Sequence, residues 1–121
     1  MIPGAILEGI SPCLRLRPAF VSGMIESVDD LRESANSGDP MPDGLSPELE
    51  SLWHAEAGNW DDAHDIAQDI DTPMGSWIHA LLHLIEGDVG NAGYWFNRAR
   101  KPSRSISEIP ALWAEIAEEL L

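Results

Sequence analysis

Leu52-Trp53-His54-Ala55-Glu56-Ala57-Gly58-Asn59-Trp60-Asp61-Asp62-Ala63 is answered further along the chain by Leu81-Leu82-His83-Leu84-Ile85-Glu86-Gly87-Asp88-Val89-Gly90-Asn91-Ala92, at a constant offset of 29 residues. Leu, His, Gly and Ala coincide in the two stretches, and Asn59 faces Asp88. Each reads as a helix, a Gly-centred turn and a second helix whose small Ala lets it approach the first closely. A unit of this kind cannot bury its apolar face alone, so neighbouring units stack into one core. Neither stretch alternates with period two, and the pattern predicts an all-α fold.

The flanking sequence supplies starts and stops at the expected places. Ser46-Pro47 opens the first of the four helices: the Ser oxygen accepts from a free N–H, and Pro in the first turn has no N–H to leave unbonded. This helix is expected to run to about Ala57, and the next from Trp60 to about Ile70. Thr72-Pro73 repeats the start signal for a helix ending near Glu86-Gly87. Asp88 caps a helix running to about Lys101, before Pro102. Ser105 and Glu108 are spaced as a capping box for a last helix with the stripe Ile109, Leu112, Trp113, Ile116 and Leu120. Upstream, Phe20, Val21, Met24, Ile25, Val28 and Leu31 predict a helix from Pro18 to about Asn36, followed by a loop over 37–46. Residues 1–17 read as irregular or extended, with Leu14-Arg15-Leu16-Arg17 alternating. The expectation is an N-terminal segment, 1–17, and one domain of about six helices, 18–121. A hairpin pair at about 47–102 builds its core, with the first and last helices capping the ends.

Seven Lys+Arg stand against 21 Asp+Glu, a formal net charge of −14. That excludes nucleic acid and anionic membrane surfaces as partners, since both require a basic face. Thirteen of the acids lie between Asp29 and Asp71 with one base, Arg32; they read as a solvated face, with docking of a basic partner as the sharper alternative. The bases Arg98, Arg100, Lys101 and Arg104 fall where a helix is expected to end and complement its dipole. No apolar run approaches the ~20 residues of a membrane span. A single cysteine, Cys13, excludes an internal disulfide and any multi-cysteine zinc site. The N-terminal stretch lacks the basic start of a secretory signal, which points to the cytoplasm.

Gly58-Asn59-Trp60-Asp61-Asp62-Ala63 resembles the turn of the tetratricopeptide (TPR) helical hairpin, and Ala92, Phe96, Ala99 and Pro102 follow the second turn with roughly that family's pattern. The resemblance covers about residues 47–102. It departs in its shorter period and in His79, Ala80 and His83, which replace the family's Leu, Gly and Tyr; in the first unit Ser51 and His54 do the same for Gly and Tyr. The resemblance implies peptide binding in a groove and brings no catalytic residues. The run His79-Ala-Leu-Leu-His83…Glu86-Gly-Asp88…Asn91-Ala92…Tyr94-Trp95 also resembles a pattern in small uncharacterised bacterial and fungal proteins, which implies no function.

All four histidines lie between residues 54 and 83. His79 and His83 are four apart, so they share a helix face, and Glu86 is three further on. Two imidazoles and a carboxylate on one face are ligands for Zn²⁺ or another divalent transition metal. The repeat alignment puts His54 in an equivalent inward position, giving His54, His79, His83 and Glu86 as the candidate metal set. His64 is expected nearer the surface. Ala80 stands where a zinc protease needs its general-base Glu, and no paired Glu-x-x-His motifs for a di-iron bundle occur. The alternative is that the histidines are structural, hydrogen-bonded to backbone or carboxylate. Buried together, they would lose their neutral state on acidification, loosening the fold between about pH 6.5 and 5.

Trp53, Trp60, Trp77, Trp95 and Trp113 occur about one per helix, as a core of large apolar volume requires. A groove lined by Trp77, Tyr94 and Trp95, with Asn91 as polar anchor, is the candidate ligand site; a capping role is the simpler reading of Asn91. No nucleophile constellation, phosphate loop or dinucleotide fingerprint is present. The leading function from sequence is a small TPR-like interaction module without cofactor, binding a peptide or protein partner, with a homodimer as an open alternative. The second reading is a metal-binding protein, with enzymatic activity undecided.

Overall fold

The structure is a computed structural model, and it describes residues 25–121. Six α-helices follow one another: α1 (Val28–Asn36), α2 (Pro47–Ala57), α3 (Trp60–Gln68), α4 (Pro73–Ile85), α5 (Val89–Ala99) and α6 (Ile109–Leu120), with a 3₁₀ turn at Ile106–Glu108 before the last. No strand occurs among the described residues. The all-α reading with about six helices holds.

Start signals act as their chemistry demands. Ser46 accepts from the Leu49 N–H and Thr72 from the Gly75 N–H, each followed by Pro in the first helical turn. Ser105 and Glu108 form the capping box reciprocally. The first helix differs from expectation: Ser27 is its N-cap, accepting from the Asp30 N–H, so the helix begins at Val28 rather than Pro18. Residues 25–27 are not helical. The expected segment 1–17 and the stripe positions Phe20, Val21 and Met24 lie outside the described residues. Helix α3 ends at Gln68, two residues before the expected Ile70. A Cβ on Gly75 would stand 2.1 Å from the Ile70 carbonyl oxygen, so only glycine permits this crossing.

The core is a single apolar cluster organised around α4. Ten consecutive residues of α4, from Gly75 to Leu84, are buried, as expected of a helix covered on all sides. It packs most extensively on α5, and also meets α3, α6 and α2. Helix α6 returns across the hairpins: Trp113 is buried and its Nε1–H donates to the Leu52 carbonyl at 2.9 Å, 61 residues away in sequence. The terminal helices do not cap opposite ends. Both α1 and α6 pack on α2, and they touch each other. The basic cluster has a structural role in part: Arg104 forks onto Glu115 at 2.9 and 3.1 Å and reaches Glu108 at 3.0 Å, and Lys101 sits 3.6 Å from Glu119. Among the described residues no helix is long and apolar enough to cross a membrane.

The duplication carries through to the backbone at the turns. Gly58 and Gly87 have φ of 89° and 87°, a left-handed conformation that suits glycine. Asn59 N–H donates to His54 O and Asp88 N–H to His83 O, at 2.8 and 2.9 Å. Ala63 and Ala92 each donate back to the residue four before at 3.0 Å, and both are fully buried.

Candidate metal centre

Three imidazoles converge where the second helix of the first hairpin meets the first helix of the second. His64 comes from α3, and His79 and His83 come from α4; one ring nitrogen from each lies within 4.8 Å of the others. His79 and His83 are buried and His64 is half-buried. His64 Nε2 and His79 Nε2 are 3.0 Å apart and share one hydrogen bond, which requires that one nitrogen donate and the other accept. Both rings cannot be fully protonated in this geometry.

Aromatic faces hold the rings. His79 lies between Trp95 and His83, with the Trp95 indole 3.9 Å away and 8° from parallel and His83 4.9 Å away at 16°. His64 stands edge-on to both and is itself stacked on Trp60 at 4.8 Å. Trp60 is fixed in turn by donating Nε1–H to the Leu82 carbonyl at 2.7 Å. One indole thus ties α3 to α4 and gives His64 a platform.

Glu86 sets the third ring. His83 Nδ1 is 2.6 Å from Glu86 Oε2, and a neutral imidazole donating Nδ1–H to this carboxylate carries its lone pair on Nε2. This carboxylate–imidazole arrangement orients metal-bound histidines and raises their basicity. His79 is pushed down to about 4, first by burial and then by the neighbouring His64 and His83. It is therefore neutral at pH 7 with a nitrogen lone pair to offer.

Of the sequence-derived metal set, His79 and His83 are in the cluster, and Glu86 orients rather than joins the three imidazoles. His54 does not belong. Its Nδ1 is 3.2 Å from Asn59 Nδ2, within its own turn, and its ring meets the edge of Trp53. The reason lies in the repeat itself: equivalent positions in stacked units face the same way, so His54 and His83 cannot face each other. What lies opposite α4 is α3, and that helix carries His64. His64 was placed near the surface, yet Trp60, Ala63, His64 and Ala67 are spaced i, i+3, i+4, i+7, the signature of one helix face. That signal was available in the sequence. A second grouping, His83 with Glu86 and Asp88, also brings its ligand atoms within 4.8 Å, but Glu86 and Asp88 are exposed and Asp88 caps α5 by accepting from the Asn91 N–H.

The expected aromatic groove is divided. Trp77 is buried and lines one depression with Lys101, whose ammonium stands 4.1 Å from the indole centroid. Trp95 lines another, together with His79. Tyr94 is exposed and meets Trp95 edge-on at 5.2 Å. Asn91 is exposed, and its part in the turn is the backbone N–H capped by Asp88. Comparison with protein-family models, with curated proteins and with solved structures finds no match to this chain.

Proposed function

We propose that this protein binds a divalent transition metal, with Zn²⁺ the first candidate, through His64, His79 and His83. The observation that carries the reading is three imidazole nitrogens, from two helices, gathered within 4.8 Å. Three nitrogen ligands with a position left for water or a ligand match open, reactive zinc sites rather than closed structural ones. The His83–Glu86 pair supplies the orienting carboxylate, and a neutral His79 removes proton competition at neutral pH. A bound metal lies near the plane of each imidazole. His79 and His83 are nearly parallel, so uptake requires one of these two rings to turn. The single thiol, Cys13, fits a reducing cytoplasmic setting.

The interaction-module reading retains the hairpin pair as support. Of its proposed ligand residues, Trp77 and Trp95 line separate depressions and Tyr94 and Asn91 line neither, so the metal reading has more behind it.

Calorimetric titration of EDTA-stripped, tag-free protein with ZnCl₂ tests the proposal. One equivalent is expected to bind with a change in tryptophan fluorescence. His64→Ala and His79→Ala should abolish uptake. Glu86→Gln should weaken it by about 10–100-fold, and His54→Ala should leave stoichiometry at one. No saturable uptake, or uptake lost with His54 and kept without His64, overturns it.

A further inference from the structure

Beside the histidine cluster a groove of about 340 Å³ opens between the α3–α4 connection and α5. Two features of its lining stand out. Ser76 is 9% exposed, and its hydroxyl has no hydrogen-bond partner among the described residues. A buried hydroxyl left unmet costs stability unless something else satisfies it. Arg98 lines the groove without a carboxylate partner among the described residues, in a chain of net charge −14. Its guanidinium rests on aromatic faces instead, 5.5 Å from the Trp95 centroid and 5.9 Å from Tyr94, with a long 3.4 Å contact to the Tyr94 hydroxyl. Arg32, Lys101 and Arg104 each have an acidic partner, while Arg100, which does not line the groove, shares with Arg98 the lack of one among the described residues. The rest of the wall includes apolar Ala67, Ile70 and Trp95.

We infer that this groove binds a small organic monocarboxylate, its charged end on Arg98, its apolar body along Ile70 and Trp95, and a polar atom met by the Ser76 hydroxyl. Guanidinium and carboxylate match in planar, two-pronged geometry. The volume is at the small end of ligand sites. Asp71 also lines the groove, and its charge opposes any anion there, a dianion such as phosphate about twice as strongly as a monocarboxylate. This inference does not require a metal: Ser76 and Arg98 lie outside the proposed metal set, although His79, which belongs to it, lines the same groove.

The test is ¹⁹F NMR of 4-fluorobenzoate with the full chain in EDTA, so that loss of metal binding cannot affect the result. Saturable binding is expected at millimolar concentration or below. The neutral isostere 4-fluorobenzamide should bind at least ~10-fold more weakly, the worth of one charged hydrogen-bonded contact. Arg98→Gln, at an exposed position, should lose a similar factor with its circular dichroism unchanged. Ser76→Ala should weaken binding by about 3–10-fold. The inference is overturned if benzoate and benzamide bind alike, if Arg98→Gln binds as wild type does, if phosphate displaces benzoate as well as a second carboxylate does, or if nothing saturates by about 10 mM.

Discussion

The two helical hairpins share a turn and differ in what they do with it. At Gly58 and Gly87 φ agrees within a few degrees, and the same hydrogen bonds follow. At the helix preceding each turn, His54 and His83 occupy equivalent positions, and each bonds a side chain of its own turn, Asn59 or Glu86. Beyond that the surroundings diverge. His83 lies against Trp60 and His64 of the preceding hairpin, whereas His54 has no histidine opposite. The second helices diverge in the same sense. Trp60 and His64 of α3 press on α4, while their counterparts in α5, Val89 and Gly93, have no hairpin beyond them among the described residues. Val89 is 51% exposed, and a Cβ on Gly93 would meet nothing within 4 Å. A repeat therefore places side chains identically, and the neighbour decides their chemistry.

The largest expected effect separates the histidines by pH. In the unfolded chain His79 titrates near 6.5, whereas in the fold it is pushed down to about 4 by burial and by His64 and His83. Between those values the unfolded state holds the extra proton, so stability is complete above about pH 6.5 and is lost as pH falls toward 4. The difference corresponds to about 3 kcal/mol at full expression. Denaturant melts of metal-free protein across this range should show the slope. His79→Gln should flatten most of it, and His54→Gln should leave it in place. A slope that vanishes with His54 would reverse the contrast between the hairpins.

Next in size is the clasp between hairpins. Trp60→Ala removes the His64 platform and leaves the Leu82 carbonyl without its indole donor. The ring is half-buried, so the expected loss is about 2–3 kcal/mol rather than the full value for a core tryptophan. The equivalent change on the open side, Val89→Ala, should stay within about 0.5 kcal/mol. Chemical denaturation of both variants measures the asymmetry directly. Equal losses would mean that α5 has a packing partner on its outer face.

Much of this was legible in the sequence, for identifiable reasons. Caps and breakers act over three or four residues, so Ser46-Pro47, Thr72-Pro73, Gly58 and Gly87 fixed α2, α4 and both turns to within a residue. The start of α1 was not, because Ile25 and Val28 continue an apolar stripe that also fits a longer helix, and only the Ser27 cap distinguishes the two. The arrangement of the outer helices was hidden as well. An amphipathic stripe says that α6 buries Leu112, Trp113 and Ile116, but its docking on α2 depends on one indole and a carbonyl 61 residues apart. At the site, periodicity within α4 gave His79 and His83. His54 was included by treating repeat equivalence as contact, when equivalence implies parallel placement. His64 was missed because Asp61, Asp62 and Asp65 around it read as a solvated face.

The smallest expected effect concerns how the helices end. Helices α2 and α4 run into left-handed glycines, Gly58 and Gly87, and α5 ends in the same left-handed conformation at Arg100, with φ 60° and ψ 41°. A side chain there crowds its own backbone, which is why glycine dominates such positions. The first hairpin avoids the problem, since α3 ends at Asp69 in right-handed geometry. Arg100 is exposed and has no carboxylate partner among the described residues, so its charge offsets little of the strain. Arg100→Gly is therefore expected to stabilise the fold. The gain is about 0.5–1 kcal/mol, because glycine's greater freedom in the unfolded chain cancels part of the relief. A thermal melt should rise by a few degrees. The same substitution at Asp69, where the backbone needs no glycine, should lower it. Both melts moving the same way would show that the two hairpins end alike after all.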